Sequence, residues 1–346
     1  MDEINKIIEE NIQAEQKEIK NAIKEKEKKQ LSPKTISILR KVIIIILVIM
    51  FVVSLGYIGN YFYKGYKNKS LNEEYKNQFY IDIPITSTDA EETGSPISFM
   101  DLYMQNKDLV GWVKINGTKT DNPVVQGRKD APGFYEYLYK AFDGSYSQYG
   151  TIFAHYKNTF DGSLSSNTVL YGHHMINGTM FGDLEKMRKV EFLKQYNLVE
   201  FTPRYESFTD TWKIFAVIIS DSTDTPNVPA SGPYAYMVTN FPSDYNFMKF
   251  VKEAYQRSMI KTPAQDVVPG DEILTLSTCI YDFKGARLLV MARKLRPGES
   301  KEMDTSQITY NSEVVYPPAY YARKGGTKRE IKEYTFEEYS AEFPKR

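Results

Sequence analysis

The chain has 346 residues, with 44 basic against 44 acidic side chains, so no net charge directs it toward nucleic acid or another strongly charged partner. That length permits one sizeable core, or two smaller ones, with room for tails. A single cysteine, Cys279, excludes an intramolecular disulfide framework, and 27 tyrosines beside two tryptophans fit a β-rich domain packed on half-buried pleats.

Residues 1–30 are rich in Lys and Glu, with Ile4, Ile8, Ile12, Ile19 and Ile23 at largely helical spacing. So thin an apolar stripe predicts a solvated helix or a small partner-binding one. From Val42 to Tyr63 no residue is charged, and the run opens VIIIILVIMFVV. As a helix it would span roughly 33 Å, enough for a hydrocarbon core of about 30 Å. Ser54-Leu55-Gly56 has the small residues of a signal-peptide cleavage site, but the 41 residues before the run argue for a retained single-pass anchor. Seven Lys or Arg lie in residues 24–41 and four in residues 64–81, which predicts a cytoplasmic segment 1–41 and an exterior location for the rest.

Residues 64–95 are polar, carry Pro84 and scattered Ser and Thr, and read as an extracellular linker. A globular domain is expected over 96–295. It opens with a helix, with Ser98 and Asp101 as a capping box and Phe99, Leu102, Tyr103 and Leu109 as its apolar positions. Trp112–Ile115 alternates into a strand, and Asn116-Gly117 has hairpin turn chemistry. Strand-like runs then dominate: TIFA (151–154), NTVLY (167–171), NLVEFT (197–202), WKIFAVII (212–219), EILTLST (272–278) and ARLLVMA (286–292). One helix interrupts them at 243–257, capped by Ser243 or Asp244, with Phe247, Phe250, Val251 and Ala254 on its apolar face. Many strands and few helices predict a mainly β barrel or sandwich. Residues 296–346 are charged, with Pro317-Pro318 and Gly325-Gly326, and read as a tail of unassigned role, partly ordered against the domain.

Strand alternation puts Thr275, Ser277 and Cys279 on one face, with the cysteine at the strand's end, where a nucleophile can be exposed. Arg287 opens the next strand on a short connection, and its guanidinium can approach the thiol. It would stabilise an oxyanion or clamp a carbonyl; the alternative is a surface arginine paired with Asp282 or Glu272. His173 emerges after Tyr171 and Gly172, where glycine lets the chain turn, and in an extended chain His174 points elsewhere; position alone favours a structural role for either histidine over a catalytic one. His155 reads as a strand-end histidine with a structural role. A zinc site built from the three histidines and Cys279 matches no recurrent ligand spacing, so no metal or cofactor is expected.

TLSTC (275–279), the upstream YGHHM (171–175) and the AR at 286–287, in that order, resemble the sortases, the membrane-anchored cysteine transpeptidases of Gram-positive bacteria. DLVGWVKINGTKTDNPVVQ (108–126), GTIFAHYKN (150–158), YGHHMINGTMFGDL (171–184) and the helix at 243–257 are similar to the class B subgroup. The resemblance implies a closed eight-stranded β-barrel with an N-terminal helix and a helix before the cysteine strand, apart from the transmembrane helix. It implies Cys279 as nucleophile, His173 as general acid/base and Arg287 as oxyanion stabiliser, with Ser277, Thr278 and Tyr281 bordering the substrate. The implied reaction cleaves a sorting signal such as LPXTG or NPQTN after Thr, forms a thioester, and passes the acyl group to an amine. Implied partners are surface proteins or pilins bearing that signal, and a cell-wall precursor or pilin lysine as acceptor.

Class B members often carry an aspartate two residues after the cysteine; Tyr281 stands there, and Asp282 follows it. A hydrolytic cysteine peptidase and a non-catalytic membrane-tethered surface module are the other readings. Papain-like enzymes place cysteine before histidine, the reverse of the order here, and chymotrypsin-like cysteine proteases usually surround the cysteine with glycines.

Overall fold

A computed structural model describes residues 2–29, 32–80, 98–127, 135–207, 209–222 and 234–342. Two compact units are present, Met1–Lys69 and Ser70–Arg346. In the first, helix α1 (Asp2–Lys29) carries Ile12, Ile19 and Ile23 in exposed positions. Helix α2 (Pro33–Phe79) starts where the Ser32 hydroxyl accepts the Thr35 N–H at 3.1 Å. Its apolar run from Val42 is exposed, and Ser54 satisfies its hydroxyl within the helix by donating to Met50 O at 2.8 Å.

A polar linker is expected over 64–95, yet α2 continues through Phe79; residues 81–97 lie outside those described. The reason is a stripe at i, i+4, i+8 that the polar composition hides: Leu71, Tyr75 and Phe79 lie on one helical face. Phe79 is fully buried and stacks on Trp112, with ring centroids 4.3 Å apart and planes at 7°. Tyr75 packs on Phe142 at 4.9 Å, and Asn72 donates to Asp121 O at 3.0 Å. The last turns of α2 are therefore part of the domain's own core.

Eight strands close a barrel in the order β1-β2-β3-β4-β8-β9-β6-β5. They are β1 (Leu109–Lys114), β2 (Asp121–Val125), β3 (Ile152–Ala154), β4 (Asn167–Tyr171), β5 (Leu198–Pro203), β6 (Thr211–Asp221), β8 (Ile273–Cys279) and β9 (Ala286–Lys294). The two-residue strands β7 (Ile260–Lys261) and β10 (Thr309–Tyr310) pair separately. Each strand-like run of the sequence lies on a barrel strand. β2 is not among those runs, because Pro123 at its centre ordinarily demotes a run. Neighbours pair antiparallel except β2–β3 and β4–β8, which are parallel.

One core cluster draws a residue from every strand: Val113, Val124, Ile152, Leu170, Val199, Ile214, Leu276 and Val290. That is the barrel interior. Alternate residues, including Val169, Tyr171, Leu289 and Met291, belong to a second cluster outside the barrel with Phe247, Phe250 and Val251. These last lie on the helix Asp244–Arg257, where the Ser243 hydroxyl, not Asp244, caps by accepting the Asn246 N–H at 3.3 Å. The opening helix begins later than expected: it spans Met100–Gln105, and Ser98 stays outside it, accepting from Met100 N at 3.4 Å.

The tail after Leu295 is folded onto the domain. Fully buried Arg293 donates to Asp266 (2.7 and 3.0 Å) and to the tail's Glu299 (2.6 and 2.8 Å), and Lys213 adds 2.7 Å to Glu299. Further along, Gln256 of the helix bonds Lys332 twice, donating to its carbonyl at 3.0 Å and accepting its N–H at 2.7 Å.

Candidate active site

Cys279 closes β8 and is exposed. Antiparallel register sets it opposite Arg287 at the start of β9, and Arg287 Nη1 donates to Cys279 Sγ at 3.1 Å. Neither carboxylate weighed as an alternative partner reaches Arg287. Asp282 is gripped by Arg188 (2.9 and 3.0 Å), and Glu272 pairs with Lys294 at 3.6 Å. Burying the cysteine strand's other residues leaves its end as the one place where a thiol meets solvent.

His173 reaches the same end from β4. Parallel register pairs Tyr171 with Ser277, so His173 and Cys279 each lie two residues beyond one matched pair at the same end of the sheet. Two bonds continue the tie past the strand: Gly172 N donates to Ser277 O at 3.2 Å, and Thr278 Oγ1 donates to Gly172 O at 2.8 Å. Gly172 is required for closeness and not for a turn, because a Cβ there would lie 2.8 Å from Phe181 Cδ2, inside the core. The histidine loop is then closed by Phe181 N donating to His173 O at 3.0 Å.

The His173 ring is held at Nε2, 2.8 Å from the carbonyl oxygen of Leu138. A carbonyl only accepts, so Nε2 carries a proton and Nδ1 is the nitrogen left for exchange. Leu138 ends a 3-10 turn, Glu136–Leu138, fixed by fully buried Tyr137, whose hydroxyl donates to Asp108 Oδ2 at 2.7 Å. Burial, more than the nearby carboxylates, raises the Tyr137 hydroxyl well above its ordinary value and keeps it a donor. Nothing in the sequence marks Leu138, because a backbone carbonyl is common to every residue type.

Ser277 and Thr278 are buried, and their hydroxyls are committed to Tyr236 Oη (3.3 Å) and Gly172 O. They brace the site from beneath; of the three residues expected to border the substrate, Tyr281 alone is exposed. His174 points away from His173, with Nε2 3.2 Å from Glu185 Oε2 and its ring edge-on to Tyr281 at 5.4 Å. His155 is buried, and desolvation, helped by the charge of Lys157, pushes it down to about 4, which leaves a neutral ring.

A family model for the sortase domain matches residues 113–295, more than half of the chain. Sortase B of Staphylococcus aureus is 31% identical over 200 residues, covering 57% of this chain and 75% of that protein. This chain belongs to the class B sortases. Sortases are cysteine transpeptidases, and this sortase is also 28% identical to sortase B of Listeria monocytogenes over 74% of the chain and 97% of that protein. Among solved structures it is similar to sortase B from B. anthracis in complex with AAEK1, at TM-score 0.54 and 29% identity, covering 68% of this chain and 99% of that one. A Staphylococcus aureus sortase B–substrate complex matches at TM-score 0.55 and 27% identity, over 67% and 98%.

Proposed function

We propose that this sortase cleaves a sorting signal of the LPXTG or NPQTN kind after its threonine, through a thioester on Cys279. The observation that carries this is the Arg287 guanidinium at 3.1 Å from an exposed Sγ, at the sheet end that His173 also reaches. Cys279 Sγ, as thiolate, attacks the threonine carbonyl carbon, and Arg287 offers its donors to the oxyanion that forms. The C–N bond breaks as protonated His173 gives its Nδ1 proton to the leaving amine, leaving the acyl group on sulfur. An incoming amine then attacks the thioester while His173 takes its proton, a new amide forms, and the thiolate leaves. The Leu138 carbonyl on Nε2 supports Nδ1 as the nitrogen that exchanges this proton. The acceptor is an amine of a cell-wall precursor or of a pilin lysine, and water competes as hydrolytic acceptor.

α2 serves as a single membrane span over 42–63. It is the one described helix long and apolar enough, and its apolar residues are exposed. The excess of basic residues before the span supports a cytoplasmic N-terminus and an extracellular catalytic unit.

The test is to incubate the detergent-solubilised full chain with LPXTG and NPQTN peptides and a primary amine, beside Cys279→Ala. Transfer product formed by the wild type and absent from the variant is the expected result. Hydrolysis that added amine never diverts would point to a peptidase, and no cleavage of either peptide would leave a non-catalytic module.

A further inference from the structure

Cys279 and Arg287 are fixed to each other by β-sheet register, but His173 lies past the end of β4, where backbone pairing with β8 stops after Gly172. Beyond the Thr278 hydroxyl on Gly172 O, side chains further along both segments tie the histidine segment to the loop after the cysteine. Side chains form a closed circuit there. Asp282, three residues after the cysteine, takes both terminal nitrogens of Arg188 at 2.9 and 3.0 Å. Arg188 Nη1 also lies 3.4 Å from Glu185 Oε1, whose other oxygen is 3.2 Å from His174 Nε2. The His174 ring returns to Tyr281, the neighbour of Asp282. His174 is the residue after His173, so the circuit joins the two chain segments that flank the reacting pair.

The Asp282–Arg188 link has the geometry that limits motion most. A two-pronged guanidinium–carboxylate pair fixes direction as well as distance, and here it is largely withdrawn from water, with the Asp282 side chain 11% exposed. Rim pairs in full solvent contribute little by comparison. The Glu185–His174 contact is longer and made through one nitrogen; His174 Nδ1 is buried without a hydrogen-bond partner.

We propose that Asp282 and Arg188 are positioning residues for the transpeptidation reaction, holding the loop after Cys279 to the His173 segment so that imidazole and sulfur stay in register. This rests on the catalytic roles given above to Cys279 and His173. The aspartate beside the cysteine thus acts on the histidine through Arg188, Glu185 and His174 and not by touching its ring.

Asp282→Asn keeps the shape and removes the charge; Arg188→Lys keeps the charge and removes the fork. Rates are normalised to titrated thiol, so that misfolded protein does not count. Each variant is expected to lower kcat for peptide transfer about tenfold with KM changed less than about twofold, since sub-ångström misplacement of reacting groups affects rate before binding. The double variant is expected to be no slower than the slower single, the sign of one shared link. In protein labelled at histidine carbons, the His173 ring resonance, assigned with His173→Ala, is expected to shift or broaden in both variants. Unchanged kcat in both, multiplying losses in the double variant, or an unmoved His173 resonance would each overturn the proposal. If the wild type transfers no peptide, the catalytic reading falls, and the His173 resonance still decides whether the link positions the ring.

Discussion

Arg287 and Cys279 are register partners on adjacent strands, and the guanidinium meets the sulfur at 3.1 Å with no carboxylate of the described residues drawn to it. A cation placed by sheet register does not have to be ordered during the reaction. Arg287→Lys retains charge but loses the planar fork, and Arg287→Ala loses both. Transfer is expected to fall by roughly 10²–10³-fold in Arg287→Ala, the scale of losing one oxyanion donor, with Arg287→Lys intermediate. Steady-state kinetics on a sorting peptide measure this; equal rates for the three proteins would deny Arg287 the role.

His173 depends on a close approach that only glycine allows. A Cβ on Gly172 would sit 2.8 Å from Phe181 Cδ2, so either the ring or the histidine segment must shift. Gly172→Ala is expected to cost about 1–3 kcal/mol by overpacking and to lower transfer more than unfolding alone accounts for. Denaturant melts and transfer rates read together check it. Full activity at reduced stability would mean that Phe181 gives way instead.

Phe79 tests whether the end of α2 is structural. Fully buried and stacked on Trp112, it is expected to cost about 3–5 kcal/mol when cut to alanine, as large core truncations do. An exposed control on the same helix, Tyr66→Ala, should change stability by under about 0.5 kcal/mol. Similar melts for the two variants would contradict the packing described.

The tail makes stability depend on acid. The hydrogen bond from Arg293, joined by Lys213 and the Arg296 N–H against the opposing cost of burial, holds the Glu299 carboxyl well below its ordinary 4.5. A depressed folded-state value means the contribution is complete above about 4.5 and is lost as pH falls below it toward the folded value. Wild type should therefore lose more stability than Glu299→Gln between pH 6 and pH 3, ends of a range chosen to bracket roughly the ordinary carboxylate value. Parallel pH profiles for the two proteins would sever the tail's Glu299 from the stability of the domain.

Local chemistry was enough to specify much of this molecule. Short runs of aliphatic, β-branched and aromatic residues specify strands β4, β8 and β9, whose two faces are both covered, and Ser243 before an apolar face specifies the helix Asp244–Arg257. The TLSTC, YGHHM and AR segments single out Cys279, His173 and Arg287 through their resemblance to the sortases; strand-end position alone leaves His173 and Arg287 open to structural readings. Tertiary structure decided the partners. The Leu138 carbonyl at His173, Arg188 on Asp282 and Phe181 against Gly172 are contacts across 35, 94 and 9 residues of chain, made by groups with no local signature. Leu71, Tyr75 and Phe79 carry a helical stripe in a stretch whose composition is polar, and only the presence of Trp112 and Phe142 opposite makes that stripe a core. Sequence sets what a side chain can do; the side chain's neighbours, brought from distant parts of the chain by barrel closure, set what it does.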